Sequence, residues 1–230
     1  MAEAARLAPH LSGPTWILAR EQTAGRGRRG REWRDPPGNL AATLILQPKV
    51  GPAEAALFSF VAALALDSAL AQVAGPRARL AIKWPNDVLL NGGKVAGILL
   101  ESLGQGGQIG ALSIGVGVNL ADAPAPRTLE PGAMAPVSLA AETGALLTPE
   151  EFLPFLAAAF DRYQRQFETY GFAPIRTAWL ARAARLGQTI TARTGSDERV
   201  GVFDTINEFG ALVLVTPQGR VTVSAADVFF

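Results

Sequence analysis

Apolar positions along this 230-residue chain switch between helical and strand spacing, and the switches divide it into elements. "AEAARLAPHL" repeats at helical spacing and stops at Gly13-Pro14, which predicts a short helix. "TWILAR" follows as a strand and delivers the chain into a stretch of arginine and glycine. "NLAATLILQ" is almost unbroken in its apolar character, which predicts a strand buried on both faces. Pro52 occupies a first helical position and opens a helix that runs to Gly75. Two short strands, "RLAIKWP" and "DVLL", precede an Asn-Gly turn at 91–93, and "KVAGILLES" returns as the hairpin partner. A turn at "GQGGQ" and the strand "IGALSIGVGVNL" complete an antiparallel meander.

The proline-rich residues 121–136 read as a surface loop. Thr148, Pro149 and Glu151 then form a capping box, and Phe152, Phe155, Leu156, Ala159, Phe160, Tyr163 and Phe167 make one apolar stripe ending at Gly171. Pro154 removes a backbone donor early in that helix and predicts a bend. From Gly187 the pattern changes to short strands, "QTITAR", "ERVGVFDTI", "ALVLVT" and "RVTVS", with turns at "TGSD", "NEFG" and "PQG". The expected organisation is an α/β (α+β) domain, residues 1–184, whose mixed, largely antiparallel sheet is backed by helices, and a small β-barrel domain, residues 187–230.

Charge changes this picture only locally. Lys plus Arg number 21 against 20 Asp plus Glu, so no global field attracts nucleic acid. With no cysteine, a disulfide framework and a thiolate site are both excluded, and the lone histidine, His10, has no partner at metal-ligand spacing. The longest uncharged apolar run, residues 55–66, is too short to span a bilayer, and the N-terminus lacks the pattern of a secretory signal. The expected location is the cytoplasm, with no membrane partner.

Against that balance, "GRGRRGREW" (residues 25–33) concentrates four arginines among three glycines. Gly25, Gly27 and Gly30 free backbone amides, and Arg26, Arg28, Arg29 and Arg31 each offer a planar fork to a phosphate or carboxylate. The loop fits neither the Walker A nor the dinucleotide fingerprint, so two readings stand: an anion cradle or a solvated basic turn. "KWPNDV" (83–88) ends a strand in polar groups, where Asp87 can hold Mg2+ at a phosphate and Asn86 can serve a sugar, or the segment is an ordinary type I turn. Lys94 in "GGKVAGILLE" is either a strand-flanking lysine or a point charge for a phosphate, and "GVGVN" (115–119) leaves room beside a strand for a flat ligand.

Taken together and in this order, "GRGRRGREW", "KWPND", "GGKVAGILLE" and "GVGVN" resemble the biotin protein ligase family. The resemblance implies a class II synthetase-like fold with an SH3-like C-terminal domain, and it covers most of the chain without the DNA-binding helix-turn-helix some members carry. It implies formation of biotinyl-5'-AMP from biotin and ATP with Mg2+, then transfer to a lysine of a biotin carboxyl carrier domain. No DNA partner is implied, and a homodimer is compatible with it. Carried over by motif, Gln22, Gly25, Arg26, Gly27 and Arg28 would contact biotin, and Arg31 would reach the nucleotide phosphates. Lys94 would bridge the biotin carboxylate and α-phosphate as the catalytic residue, assisted by Arg28. Trp33 and Trp84 would help form or close over the pocket, and Gly97, Ile98, Leu99 and Gly115 would wall the biotin site. Asn86, Asp87 and Asn119 would serve nucleotide and metal, while Arg29 and Arg34 are expected to be solvated. Lipoate ligation or octanoyl transfer, and a noncatalytic biotin-binding remnant, are the alternatives.

One feature of the family is missing. Its Ser-Thr pair, which binds the ureido end of biotin, has no counterpart, and "MAEAARLA" resembles the helix that follows that pair. The expectation is a start codon upstream of Met1.

Overall fold

The computed structural model describes residues 1–104, 109–124, 134–194 and 197–230. The turn expected at "GQGGQ", most of the proline-rich loop and the tip of "TGSD" fall outside them.

The first sheet contains β1 (Thr15–Ala19), β2 (Leu40–Leu46), β3 (Leu80–Lys83), β4 (Asp87–Leu90), β5 (Gly93–Leu103) and β6 (Ala111–Val118), in the order β1-β2-β6-β5-β4-β3. The meander from β3 to β6 turns back so that β6 pairs with β2, and every pairing between these strands is antiparallel. Parallel contact among the described residues is confined to two isolated bridges, Ile82 to Ala183 and Lys94 to Pro136.

Opposed residues share a face, so the register sorts side chains into two sets. Ala42, Val116 and Ile98 point together to one side, which packs with α3 (Phe58–Val73) and α5 (Pro149–Tyr170) into the main core. Thr43, Gly115 and Leu99 point to the other. That second side is covered at one end by α1 (Ala2–Leu7), where Ala4 and Ala8 meet Ile45 and Ala111. The remainder stays open because glycines leave nothing to pack against.

The helix predicted from Pro52 forms as α2 (Pro52–Ala56) and α3, joined at Leu57. This span has the length and hydropathy of a membrane-crossing helix, but 67% of it is buried inside the fold. It is the core helix.

The capping box of α5 is present, with the Glu151 amide donating to Thr148 Oγ1 at 3.2 Å and the Thr148 amide donating to Glu151 Oε2 at 2.8 Å. Pro154 does not interrupt the helix. Its early position means that only a first-turn acceptor loses a partner. Phe155 departs from the predicted stripe and is 37% exposed, because it lies at the stripe's edge while Phe152, Leu156, Ala159, Phe160 and Phe167 are buried. Two further helices, α4 (Leu139–Thr143) and α6 (Phe172–Leu180), were not expected from the pattern. Trp179 of α6 is fully buried, edge-on to Phe60 and Phe203, and so ties α3 to the second sheet.

That sheet consists of β7 (Thr189–Arg193), β8 (Glu198–Ile206), β9 (Leu212–Thr216), β10 (Gly219–Val223) and β11 (Asp227–Phe229), all antiparallel, in the order β10-β9-β8-β7-β11. No pairing among the described residues closes it into a barrel. The expected four strands are present. The unexpected fifth, β11, is the one that reaches the Arg/Gly loop.

Candidate active site

A cavity of about 730 Å³ lies on the open, glycine-rich side of the first sheet. It runs across the strands from Thr43 on β2 to Lys83 on β3, beneath the Arg/Gly loop and against β11. The floor is made by absence of side chains. A methyl at Gly117 would lie 2.5–2.7 Å from the Trp33 indole, and one at Gly97 3.2 Å from it, so the indole lies directly on bare backbone. One at Gly115 would meet the Met1 thioether at 3.0 Å, and that sulfur accepts from Thr43 Oγ1 at 3.8 Å.

The roof is a closed loop. The Gly27 amide donates to the Arg31 carbonyl at 2.7 Å, and the Trp33 amide donates to the Gly25 carbonyl at 3.0 Å. Gly25 is required there, since any Cβ would come within 2.3 Å of the Trp33 carbonyl oxygen. Gln22, Arg26, Gly27 and Arg28 border the same cavity, while Gly25 borders a smaller hollow behind it.

The arginines converge on a residue that the sequence does not single out. Asp227 of β11 lies 2.6 Å from Arg31, 3.0 Å from Arg29 and 4.0 Å from Arg28, and Arg28 also donates to the Ala226 carbonyl at 3.3 Å. Arg29 is exposed, as expected, and also pairs with Asp227. Arg34 pairs with Glu32 at 3.2 Å on the surface, and Arg26 with Glu101 at 2.9 Å. Burial pushes the Arg28 guanidinium below its ordinary value, opposed by Asp227 and Asp87. It stays charged, as an arginine in a protein does.

Under the loop, Lys94 Nζ is 2.7 Å from Asp87 Oδ1, beside Gly97 and 5.6 Å from the Trp33 ring centroid. Lys83 stands one strand beyond, almost buried, with Phe230 over its ammonium at 5.2 Å. Burial pushes Lys83 below the ordinary lysine value, and Asp87 opposes that shift. Arg26, Arg28, Arg31, Arg34, Lys83 and Lys94 thus line the cavity with Glu32, Asp87 and Asp227, an excess of cations that favours a polyanionic ligand.

Other expected site residues border the cavity but also serve the scaffold. Asn86 donates its side-chain amide to the Ile98 carbonyl, Asn119 donates to the Val137 carbonyl at 3.0 Å, and Trp84 Nε1 donates to the Gly210 carbonyl at 3.0 Å. Trp84 is thereby fixed to the second sheet and forms part of the cavity wall. Ile98 points into the helix-side core, and Leu99 and Gly115 point to the cavity side. Sequence reasoning missed Asp227 and Thr43, gave Lys83 no role, and took in Gly117 only as part of "GVGVN". Gly117 has a local signal, since it alternates with Gly115, whereas Asp227 has none.

Among the described residues no three metal-ligating side chains cluster. Asp87 fits Mg2+ that arrives on a nucleotide, which keeps waters and phosphate oxygens and needs only one or two carboxylates.

Residues 4–119 match the biotin/lipoate A/B protein ligase family, and residues 186–230 match the biotin protein ligase C-terminal domain. Among curated relatives, the biotin--[acetyl-CoA-carboxylase] ligase of Paracoccus denitrificans is 63% identical over 100% of this chain and 95% of its own length. The enzyme of that name from Mycobacterium tuberculosis is 31% identical over 92% of this chain and 77% of its own. The biotin protein ligase of Aquifex aeolicus, solved with biotin and ATP, superposes with a TM-score of 0.79 at 24% identity, over 97% of this chain and 91% of that one. With its motifs gathered round one cavity and its whole length matched by such relatives, the chain belongs to the biotin/lipoate A/B protein ligase family.

Proposed function

We propose that this chain is an ATP-dependent biotin protein ligase that forms biotinyl-5'-AMP and transfers the biotinyl group to a lysine of a biotin carboxyl carrier domain. The observation that carries the reading is the place of Lys94: its ammonium lies where the glycine-floored slot meets the cation cluster. The fused ring system of biotin fits over Gly97, Gly115 and Gly117 once the Trp33 indole moves aside, and the carboxylate at the end of its aliphatic chain then reaches Lys94.

Lys94 holds the biotin carboxylate and the α-phosphate together, offsetting the repulsion of two anions. Arg28 and Arg31, released from Asp227, turn to the phosphates and stabilise the charge that develops there. Mg2+ brought by ATP would be held by Asp87 and supply further charge neutralisation. In the second step the neutral amine of the acceptor lysine attacks the acyl carbon, and AMP leaves. The loop, with Gln22 and Arg26 at its base, keeps water from the mixed anhydride in the interval. Gly27 lets its backbone approach the ligand, while Asn86 and Asn119 hold the segments that flank the nucleotide.

Pyrophosphate exchange into ATP, with biotin or lipoate offered separately, tests the reading. Exchange dependent on biotin is the expected result; exchange with lipoate alone overturns it.

A further inference from the structure

We propose that Lys83 is the leaving-group residue, whose ammonium binds the β- and γ-phosphates of ATP and the pyrophosphate they become. This rests on the ligase reading above and assigns a residue to the far end of the same site.

The argument begins with register. Gly117, Gly97, Asp87 and Lys83 are directly opposed on β6, β5, β4 and β3, so one row of side-chain positions crosses the sheet. Each step is about 4.8 Å. Lys94 Nζ lies beside Gly97, partway along this row. With biotin over the glycines and the α-phosphorus at Lys94, the remaining direction along the row leads to Asp87 and Lys83.

The chemistry demands that direction. A carboxylate oxygen of biotin attacks the α-phosphorus and forms the new C–O–P link. The bond from that phosphorus to the bridging oxygen of the β-phosphate breaks, and its electron pair departs on pyrophosphate. Nucleophile and leaving oxygen stand roughly in line on opposite sides of phosphorus. An anion whose charge grows as it leaves therefore moves toward β3, where Lys83 waits with Arg31 nearby.

Lys83 also lacks a carboxylate partner among the described residues. Asp87 pairs with Lys94, Asp227 is shared among three arginines, and no ion pair to Lys83 exists among the described residues. The residue is 9% exposed, with an aromatic face over its ammonium. A desolvated cation without a counter-ion destabilises the empty site, and an arriving polyanion removes that cost.

The test compares Lys83→Met and Lys83→Arg with the wild-type chain in separate half-reactions. Lys83→Met should raise the pyrophosphate inhibition constant and the KM for ATP by about tenfold or more. The KM for biotin, and transfer from preformed biotinyl-adenylate to a carrier domain, should stay within about twofold. Lys83→Arg should recover most of the loss. A pyrophosphate constant unchanged in Lys83→Met overturns the assignment. So does loss of transfer from preformed adenylate, which would mark Lys83 as a group acting on the acceptor amine or on the fold. Failure of the ligase reading is distinguishable, because the wild-type chain would then show no biotin-dependent exchange at all.

Discussion

Asp227→Asn removes the charge on which the Arg/Gly loop is latched. Two of the contacts are short, 2.6 Å to Arg31 and 3.0 Å to Arg29, and the third, to Arg28, is 4.0 Å. The Asp227 side chain is 18% exposed, whereas the arginines range from 24% to 50%. Exposed pairs of this kind contribute about 0.2–1 kcal/mol each, and the half-buried carboxylate puts the two short ones near the upper end. Their loss together is roughly 1–2 kcal/mol, or about 5- to 30-fold in the ratio of released to latched loop. Trypsin reads that ratio, since it cuts after Arg26, Arg28, Arg29 and Arg31 only when the loop opens, and cutting follows the open population when opening is fast. Early fragments identified by mass should show cleavage at these bonds about 5- to 30-fold faster in the variant, with other sites unchanged. Equal rates in the two proteins would refute the latch. A uniform increase at every site would refute it too, because it would mean a general loosening of the fold.

Lys94→Ala should lower biotin-dependent pyrophosphate exchange by about 100- to 1,000-fold, as expected for a preorganised charge at the reacting phosphate; near-normal exchange would remove Lys94 from its role. Arg182→Ala should leave the buried Asp67 carboxylate without the two 3.0 Å bonds it now accepts, at a cost of roughly 2–3 kcal/mol in a denaturant melt. This is set below the range for fully buried pairs because Arg182 is 41% exposed. Burial already holds Asp67 above the ordinary carboxylate value, so the folded state binds its proton more tightly than the unfolded chain does. Stability from that group is therefore present at low pH and lost as pH rises, and the deficit of Arg182→Ala should shrink as pH falls from about 8 to about 5. A deficit independent of pH would count against the unpaired carboxylate as its cause. Lys83→Met should raise the melting temperature near neutral pH by roughly 2–4 °C, about 1 kcal/mol, at the expense of function. The folded pKa of Lys83 lies below its ordinary 10.5, so the cost of burying the charge is full below that folded value and gone above 10.5. The gain should narrow toward pH 10, and a lower melting temperature at pH 7 would contradict it.

Much of the scaffold was legible because its signals are local. The Asn-Gly turn at 91–93, the run of Leu40–Leu46 and the Thr148 box each depend on neighbours in sequence, and each forms as its residues predict. α6 was missed because "FAPIRTAWL" carries a proline and no long apolar period, and it is helical because Trp179 buries between α3 and the second sheet. β11 was missed for a related reason: three residues are too few for a pattern, and pairing with β7 is what makes them a strand. Asp227 goes with it. An aspartate in "AADVFF" looks like any surface carboxylate until the fold brings it beneath arginines nearly 200 positions earlier. The pairing of Arg29 was hidden on the same ground, since nothing within the loop tells which of its arginines reaches a carboxylate.

The row through Gly117, Gly97, Asp87 and Lys83 explains why glycines and charges divide the site as they do. A substrate lying along a strand would meet side chains that alternate in and out, and one strand's sequence would then have to encode every contact. Lying across the strands, it meets one inward position from each, and each strand is free to supply a different chemistry. β6 and β5 supply bare backbone, β4 a carboxylate and β3 an ammonium. The antiparallel meander brings these about cheaply, because tight turns place the four positions side by side without any long connection. The motifs "KWPND", "GGKVAGILLE" and "GVGVN" are therefore four neighbouring strands read at one cross-section, "KWPND" supplying both β3 and β4, and their order in the chain is the order of the strands beneath the ligand. Only the roof lies outside this logic. It is held by β11, from the far end of the chain, so that the same contact which fixes the Arg/Gly loop also makes the second sheet part of the site.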